Sequence, residues 1–178
     1  MAAASHDEPR PAARAARIIQ SPVGPLRLEA SATGLTRLHF VDDPSPGTRD
    51  RDDGEVAAPE AEVILDVAVR ELDAYFAGGT DGFDVPLDLR GTTFQRQVWD
   101  LLRAIPHGAT ASYGELARQL GSPGASRAVG LANNKNPVAI VVPCHRVVGA
   151  DGSLTGYAGG LDRKRALLDL ESGVSALL

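Results

Sequence analysis

The pattern of apolar residues changes once along the chain, near 88–91, and this change constrains the fold more than any other feature. Before it, short alternating segments separated by turn residues favour β-strands, whereas after it apolar residues recur at helical spacing. The 178 residues have room for two small units that pack together. We therefore predict an α+β fold with a small N-terminal antiparallel sheet domain that carries one helix, over 17–90. A mainly helical C-terminal domain that contains a helix-turn-helix follows over 91–178.

Three strands are predicted in the N-terminal half. Two short alternating segments, 17–20 and 26–30, flank a turn rich in proline and glycine and predict a hairpin. The segment 35–41 also alternates and predicts a third strand, with Leu35 and Leu38 on opposite faces of the sheet. Together the three segments predict a small antiparallel sheet.

One helix and two irregular segments complete the N-terminal half. The segment Pro59–Phe76 has apolar residues at roughly helical spacing and is followed by two glycines, so it predicts a helix. Its expected apolar face consists of Val63, Val67, Leu72, Tyr75 and Phe76. Residues 1–16 are rich in alanine, proline and charge and predict a disordered tail. Residues 42–58 are rich in turn-forming residues and predict a mobile loop.

Capping residues mark the helices of the C-terminal half. Thr92 or Thr93 caps a helix that runs to about Ile105, and Ser112 with Glu115 forms the capping box of the next helix. That second helix and a third one are joined by a glycine-containing turn, which predicts the helix-turn-helix. The predicted bounds of the last three helices are 113–120, 126–133 and Leu161–Glu171.

Composition and charge exclude several classes of protein. No apolar run is long enough to span a membrane, and the first 16 residues lack the apolar centre of a signal peptide, so we expect a cytoplasmic protein without membrane contact. A single cysteine cannot form an internal disulfide, and the four histidines show no ligand spacing, so we expect no metal and no cofactor. Residues 1–90 carry 9 basic and 17 acidic side chains, whereas residues 91–178 carry 9 and 6. Any nucleic-acid surface is therefore expected in the C-terminal half, although an acidic first half is equally compatible with a solvated face.

The densest chemical signal surrounds Cys144, the one cysteine of the chain. The apolar run 138–142 predicts a buried strand that leads through Pro143 into Cys144 and His145. A thiol needs a base or a cation nearby to become the nucleophilic thiolate, so we expect the sulfur to be ionised and open to a substrate. The alternative is an inert buried cysteine, which burial statistics favour for an isolated residue.

Several further motifs occur in a fixed order in the C-terminal half. They lie at 94–99, 105–108, 112–117, 126–130, 136–137, 143–147, 156–160 and 167–171. Their order and spacing, with Pro143-Cys144-His145-Arg146-Val147 at the centre, resemble those of the O6-alkylguanine-DNA alkyltransferases. The N-terminal half resembles the variable sheet domain of that family only loosely, through the hairpin at 21–26.

The resemblance implies a role for five residues at the reacting centre. Cys144 is the alkyl acceptor, His145 is its base through a water molecule, and Glu171 orients His145. Tyr113 donates to the leaving guanine, and Asn136 ties the helix-turn-helix to the active-site segment. A nucleophile, a base and an orienting carboxylate form an activated nucleophile in the same way in other enzymes. The implied reaction moves one alkyl group irreversibly from O6 of guanine, so each protein molecule reacts once.

The resemblance also implies how the substrate is reached. The family binds double-stranded DNA in the minor groove and flips O6-alkylguanine out of the stack, while Arg127 fills the gap. The other implied DNA-binding residues are Ser126, Ala128, Gly130, Asn134 and Lys135, with Ala132 and Asn133 expected on the same surface. The implied base pocket contains Tyr157, Ala158 and Val147. A monomer is expected, and the resemblance leaves O4-alkylthymine open as a second substrate and clustering on DNA open as a binding mode.

Three other functions are compatible with parts of the sequence. A non-catalytic alkylated-DNA-binding protein holds the lesion without transfer, but such relatives replace the cysteine that this chain keeps. A Cys-His hydrolase needs oxyanion donors and turns over. A helix-turn-helix regulator leaves the cysteine inert. Methylation of Cys144 by DNA that contains O6-methylguanine separates alkyl transfer from all three.

Overall fold

The computed structural model describes residues 14–42 and 59–173. Three antiparallel strands begin this part of the chain. The sheet order is β1-β2-β3, and the strands are Arg14–Ile19, Leu26–Ser31 and Leu35–Phe40. Strand β1 begins at Arg14, inside the predicted tail, because Ala15 packs into the core. The rest of that tail and residues 43–58 of the predicted loop lie outside the described residues.

A β-bulge in β3 changes which of its side chains face the core. The pairing of β2 with β3 shifts between Glu29 and Ala30, which leaves Thr36 as the extra residue. The Thr36 hydroxyl donates to the Glu29 carbonyl at 2.9 Å. Leu35 and Leu38 are consequently both buried, and the prediction that they lie on opposite faces is wrong.

The N-terminal helix α1 (Pro59–Phe76) has the predicted bounds and packs on the sheet. Its buried side chains are Ala61, Leu65, Ala68, Leu72 and Tyr75. Val63 was expected on this apolar face but is 59% exposed, since it lies two residues from both Ala61 and Leu65 and points away from them. In the described ranges no helix is long and apolar enough to cross a membrane.

Four helices build the C-terminal half, and the predicted α+β architecture is confirmed. Their bounds are Thr93–Arg103 for α2, Tyr113–Gln119 for α3, Ser126–Asn134 for α4 and Leu161–Glu171 for α5. Two short strands, β4 (Ala111–Ser112) and β5 (Val147–Val148), pair in parallel. Capping boxes at Thr92 and Ser112 start α2 and α3, so Thr92 rather than Thr93 is the cap. Helices α3 and α4 form the helix-turn-helix. Helix α2 packs against α4, where Trp99 Nε1 donates to the Ala132 carbonyl at 2.9 Å.

The apolar segment 138–142 is not the predicted strand. Val138 makes an isolated bridge to Leu38 of β3, and the chain then turns, with the Val142 N–H donating to the Val138 carbonyl at 3.0 Å. Ile140 lies in the left-handed region, with a φ of 70°. An apolar run without periodicity fits a buried turn as well as a strand, and these turns are buried between the two halves of the molecule. The bridge attaches β3 to the segment that leads to Cys144.

Candidate active site

Cys144 begins a three-residue 3-10 helix that follows the buried turns. The segment before it is held by Asn136, whose Nδ2 donates to the Val142 carbonyl at 2.8 Å and whose Oδ1 accepts from the Val138 N–H at 3.0 Å. The carbonyl of Cys144 accepts a longer bond, of 3.4 Å, from Nδ2 of Asn133. Two asparagines at and just beyond the end of α4 therefore fix the backbone that carries the thiol.

The thiol of Cys144 is buried, with 6% of the residue exposed. Burial raises the pKa of the thiol above its ordinary value, since a buried thiolate loses its hydration. Three groups act to lower the pKa of the thiol: the Asn136 amide, the Lys164 ammonium and the Tyr157 hydroxyl. The Tyr157 hydroxyl does so from outside hydrogen-bonding geometry. The net direction is upward, so the expectation of an ionised sulfur is wrong for the free protein. The thiol keeps its proton at neutral pH until a base removes it.

The carboxylate of Glu171, at the end of α5, accepts five hydrogen bonds from described residues, and its side chain is fully buried. Its Oε1 accepts from His145 Nε2 at 2.8 Å, from Arg146 Nη2 at 2.9 Å and from the Tyr75 hydroxyl at 2.8 Å. Its Oε2 accepts from Arg146 Nε at 2.8 Å and from the Gly108 N–H at 3.1 Å. Burial alone raises the pKa of Glu171, but His145 and Arg146 outweigh burial and hold the pKa well below the ordinary carboxyl value. Glu171 is therefore ionised.

The bond to Glu171 fixes the tautomer of His145. An ionised carboxylate only accepts, so Nε2 carries the hydrogen and Nδ1 keeps its lone pair. Burial lowers the pKa of His145 by more than Glu171 raises it, so the ring is neutral. Its Nδ1 is buried and has no hydrogen-bond partner within the described part of the chain. A neutral imidazole with a free lone pair is the state that a general base requires.

Sequence reasoning assigned no role to two residues of this network, although one of them, Arg146, lies within the central motif. Arg146 is 8% exposed, balances the charge of Glu171 and also donates from Nη1 to the Ile105 carbonyl at 2.6 Å. Its position next to His145 could have suggested a part in the site. Tyr75 reaches the carboxylate from α1, so the N-terminal domain contacts the acid–base network directly. Nothing in the sequence indicates that contact, because the two partners are 96 residues apart.

Lys164 is a third residue that the sequence did not reveal. It is fully buried, and its Nζ donates to the carbonyls of Val147 at 2.6 Å and Thr155 at 2.7 Å. Its place on α5 with Leu167 and Glu171, at intervals of three and four residues, could have put it on the buried face. Burial lowers the pKa of Lys164, and its charge favours ionisation of the nearby thiol.

A cavity of about 140 Å³ opens onto Cys144. Tyr157 and Ala158 line it, where the sequence predicts the base pocket. Val147, the third residue expected there, does not line the cavity, because it is fully buried in β5 and pairs with Ala111 of β4. Among residues 14–42 and 59–173, no three His, Cys, Asp or Glu side chains cluster as metal ligands.

Tyr113 is the first residue of α3, and its hydroxyl faces the loop beside the cavity. The hydroxyl donates to the carbonyls of Thr155 at 3.3 Å and Gly156 at 3.5 Å. Its ring lies against Gly130 of α4, where an added Cβ would stand 3.7 Å from the ring. Gly130 therefore allows the close contact between α3 and α4, and it is half-buried. Its expected contact with DNA stays a prediction.

One side of α4 is open to solvent. Its exposed residues, which we call the α4 face, are Arg127, Ala128, Leu131 and Asn134, followed by the exposed Lys135. Ser126 is half-buried at the start of the helix. Ala132 and Asn133 are buried, against expectation, because they lie on the side that packs on α2 and on the Cys144 segment.

Comparisons with known proteins cover both halves of the chain. A family model described as "6-O-methylguanine DNA methyltransferase, DNA binding domain" matches residues 93–173, and one described as "6-O-methylguanine DNA methyltransferase, ribonuclease-like domain" matches residues 16–89. The methylated-DNA–protein-cysteine methyltransferase of Mycobacterium tuberculosis H37Rv is 54% identical over 158 residues, which are 87% of this chain and 90% of the relative. The protein of that name from Methanosarcina acetivorans is 48% identical over 158 residues, 86% of this chain and 96% of the relative.

The comparison with solved structures agrees with these sequence matches. The crystal structure of Mycobacterium tuberculosis O6-methylguanine methyltransferase matches with a TM-score of 0.76 at 52% identity, over 91% of this chain and 94% of that chain. The crystal structure of Mycobacterium tuberculosis OGT in complex with DNA matches with a TM-score of 0.76 at 53% identity, over 89% and 93%. Because the sequence matches span both domains and the fold matches with them, the chain belongs to the 6-O-methylguanine DNA methyltransferase family.

Proposed function

We propose that the protein repairs double-stranded DNA by taking the alkyl group of O6-alkylguanine onto Cys144 in a single, irreversible reaction. The observation that carries the proposal is the free, buried Nδ1 of His145, in the residue next to the thiol and with its tautomer set by Glu171. An inert structural cysteine has no need of such a base. Membership of the family and the names of the relatives support the same reaction.

In the proposed reaction the thiol proton of Cys144 passes to Nδ1 of His145 through a water molecule. The thiolate attacks the alkyl carbon, the S–C bond forms as the C–O6 bond breaks, and the bonding electrons leave with the guanine. A proton donor must neutralise the guanine as it leaves. We assign Tyr113 a hydrogen bond to the departing guanine rather than the proton itself, because burial raises its pKa and its hydroxyl keeps its proton. The proton that left the thiol passes on from His145 and completes the neutral base. Glu171 balances the charge that His145 gains.

The product accounts for the single reaction of each protein molecule. A thioether on a plain alkyl carbon has no good leaving group and no carbonyl that water could attack. The acyl-enzyme of a hydrolase has that carbonyl and is released by water. Alkylated Cys144 therefore stays alkylated.

The α4 face is the proposed DNA-binding surface, in the half of the chain that has a basic excess. A base adduct within stacked DNA is out of reach of a thiol in a cavity, so the nucleotide must be flipped out. We assign Arg127 to the gap in the stack and Asn134 and Lys135, with Ser126, to the phosphates and sugars. The small, exposed Ala128 lets the helix approach the minor groove closely. The Mycobacterium tuberculosis relative crystallised with DNA supports DNA binding, and we propose that the protein acts as a monomer on DNA in the cytoplasm.

Mass spectrometry after incubation with duplex DNA that contains O6-methylguanine tests the proposal. We expect one methyl group on the Cys144 peptide and none in Cys144→Ala. The matched variant His145→Gln keeps the thiol but removes the base, and its transfer should be slower. A Cys144 that stays unmodified beside excess DNA would favour a binding protein, and repair of more lesions than there are protein molecules would favour a hydrolase. Either result would overturn the proposal.

A further inference from the structure

Part of the lining of the cavity at Cys144 comes from the N-terminal domain. Phe40, the last residue of β3, lines the cavity together with Tyr157 of the C-terminal domain. We infer that Phe40 limits the size of the alkyl group that Cys144 accepts, so that methyl and other small O6 adducts react fastest. The inference rests on the proposed function and names its preferred substrates.

Two neighbours hold the Phe40 ring on the side of the base pocket. The Phe40 and Tyr157 rings meet edge to face, with centroids 6.2 Å apart and planes at 65°. The backbone of Gly159 lies directly against both rings, since a Cβ added there would stand 2.6 Å from the Phe40 ring and 2.7 Å from the Tyr157 ring. The ring therefore has no free space in the direction of Gly159 into which a bulky adduct could push it.

Arg163 covers the Phe40 ring from another side. Its guanidinium carbon lies 4.8 Å from the ring centroid, within the range of a cation–π contact. The guanidinium is itself held by three acceptors: Nε donates to the Val23 carbonyl at 3.1 Å, Nη1 to the Gly159 carbonyl at 3.3 Å and Nη2 to Asp42 at 2.8 Å. Arg163 thus joins α5 to the N-terminal sheet and fixes the ring between them.

The backbone of β3 is also tied to the active-site segment. The Leu38 N–H donates to the Pro137 carbonyl and the Ala139 N–H donates to the Leu38 carbonyl, both at 2.9 Å. Ala139 lines the same cavity as Cys144. Because this tie lies two residues before Phe40, it holds the end of β3 against the segment that leads to Cys144.

The test compares two duplexes that differ only in the O6 adduct, methyl or benzyl, in single-turnover reactions with Phe40→Ala, Phe40→Leu and the unchanged protein. We expect Phe40→Ala to raise the ratio of benzyl to methyl transfer rates about tenfold. Phe40→Leu should give a smaller rise in the same ratio. Phe94→Ala is the control, because this partly buried aromatic residue of α2 does not line the cavity, and its ratio should stay unchanged.

The outcomes separate the two proposals. An unchanged ratio in a Phe40→Ala protein that still transfers methyl overturns the inference and leaves the proposed function intact. If Phe40→Ala does not fold, the same ratio measured for Phe40→Leu decides, because that variant keeps most of the apolar volume. If the unchanged protein transfers neither group, the proposed function fails and this inference fails with it.

Discussion

Around Glu171 the buried polar groups are hydrogen-bonded to one carboxylate, and only Nδ1 of His145 among the described atoms of this network has no partner, whereas on the α4 face the side chains project into solvent. Five hydrogen bonds from three side chains and one backbone N–H converge on one buried carboxylate. Arg127 and Lys135, in contrast, extend from an exposed helix surface. The first arrangement is determined by the fold itself, and the second acquires defined contacts only when DNA is bound. Changes around Glu171 should therefore affect stability and chemistry together, and changes on the α4 face should affect function alone.

The strongest test of this contrast removes the carboxylate. Glu171→Ala leaves the Arg146 guanidinium buried without its counter-ion, and breaking a buried pair in this way costs about 3–5 kcal/mol of the free energy of unfolding. Urea unfolding monitored by circular dichroism measures the loss. Glu62→Ala is the matched control, because it breaks an ion pair with Arg17 at the surface. There we expect a change of less than about 1 kcal/mol.

Similar losses of unfolding free energy in Glu171→Ala and Glu62→Ala would contradict the contrast between the buried network and the protein surface. The buried network would then contribute no more to stability than a surface ion pair. Glu171→Gln separates shape from charge. It keeps the volume of the side chain but offers His145 a neutral acceptor. Its stability should lie between those of Glu171→Ala and the unchanged protein, and its alkyl transfer should be slow because the charge on His145 is no longer balanced.

A smaller change tests whether the N-terminal domain belongs to the network. Tyr75→Phe removes only the hydroxyl that donates to Glu171, and a hydrogen bond to a charged group contributes about 1.5–3 kcal/mol to stability. Tyr157→Phe is the control, because the hydroxyl of Tyr157 is buried with no hydrogen-bond partner within the described ranges. Removing it should not lower the free energy of unfolding, because a buried hydroxyl without a partner contributes no hydrogen bond and keeps its desolvation cost. Equal effects on urea unfolding would show that the Tyr75 bond contributes nothing specific.

Arg127→Ala tests the other side of the comparison. The free energy of unfolding should change by less than about 0.5 kcal/mol, since the side chain is exposed. The rate of methyl transfer from duplex DNA should fall about 5- to 150-fold, which corresponds to the loss of about 1–3 kcal/mol of DNA contact. The same variant should react with free O6-methylguanine base as fast as the unchanged protein does. Arg165→Ala, an exposed cation on α5, provides the control.

The sequence predicts those features of the molecule that depend on local interactions, and it does not predict those that depend on long-range contacts. The bounds of α1 and α5 and the capping boxes at Thr92 and Ser112 were predictable, because each depends on residues within one or two helical turns. The buried turns at 138–142 were not predictable, because an apolar run carries no signal that distinguishes a strand from buried turns.

Prediction of the active site from the sequence has the same limit. Cys144, His145 and Glu171 could be named from motifs, and the structure brings the last two into direct contact. The contact of Tyr75 depends on how α1 docks against α5, and the position of Val147 depends on its pairing with Ala111. Both are set by tertiary packing between segments far apart in the chain, which motifs and periodicity do not encode.

The smallest effect expected is a dependence of stability on pH that comes from the buried network alone. Burial lowers the pKa of His145 below its ordinary 6.5, so below that pH the unfolded chain binds a proton that the folded chain refuses. Stability therefore falls as the pH falls below about 6.5, by up to about 1.4 kcal/mol per pH unit for one proton. Glu171, whose folded pKa is depressed, adds a second loss below its ordinary 4.5.

Urea unfolding at a series of pH values measures this dependence, and two variants locate its source. His145→Gln should reduce the loss that begins near pH 6.5 and keep the one that begins near pH 4.5. Part of the first loss should remain, because burial also lowers the pKa of His39. Arg127→Ala should give a curve parallel to that of the unchanged protein, because this exposed side chain lies on the α4 face and outside the buried network. If stability were constant between pH 7 and 5, His145 would have to be as easily protonated in the folded protein as in water, and it could not be the buried neutral base that the reaction needs.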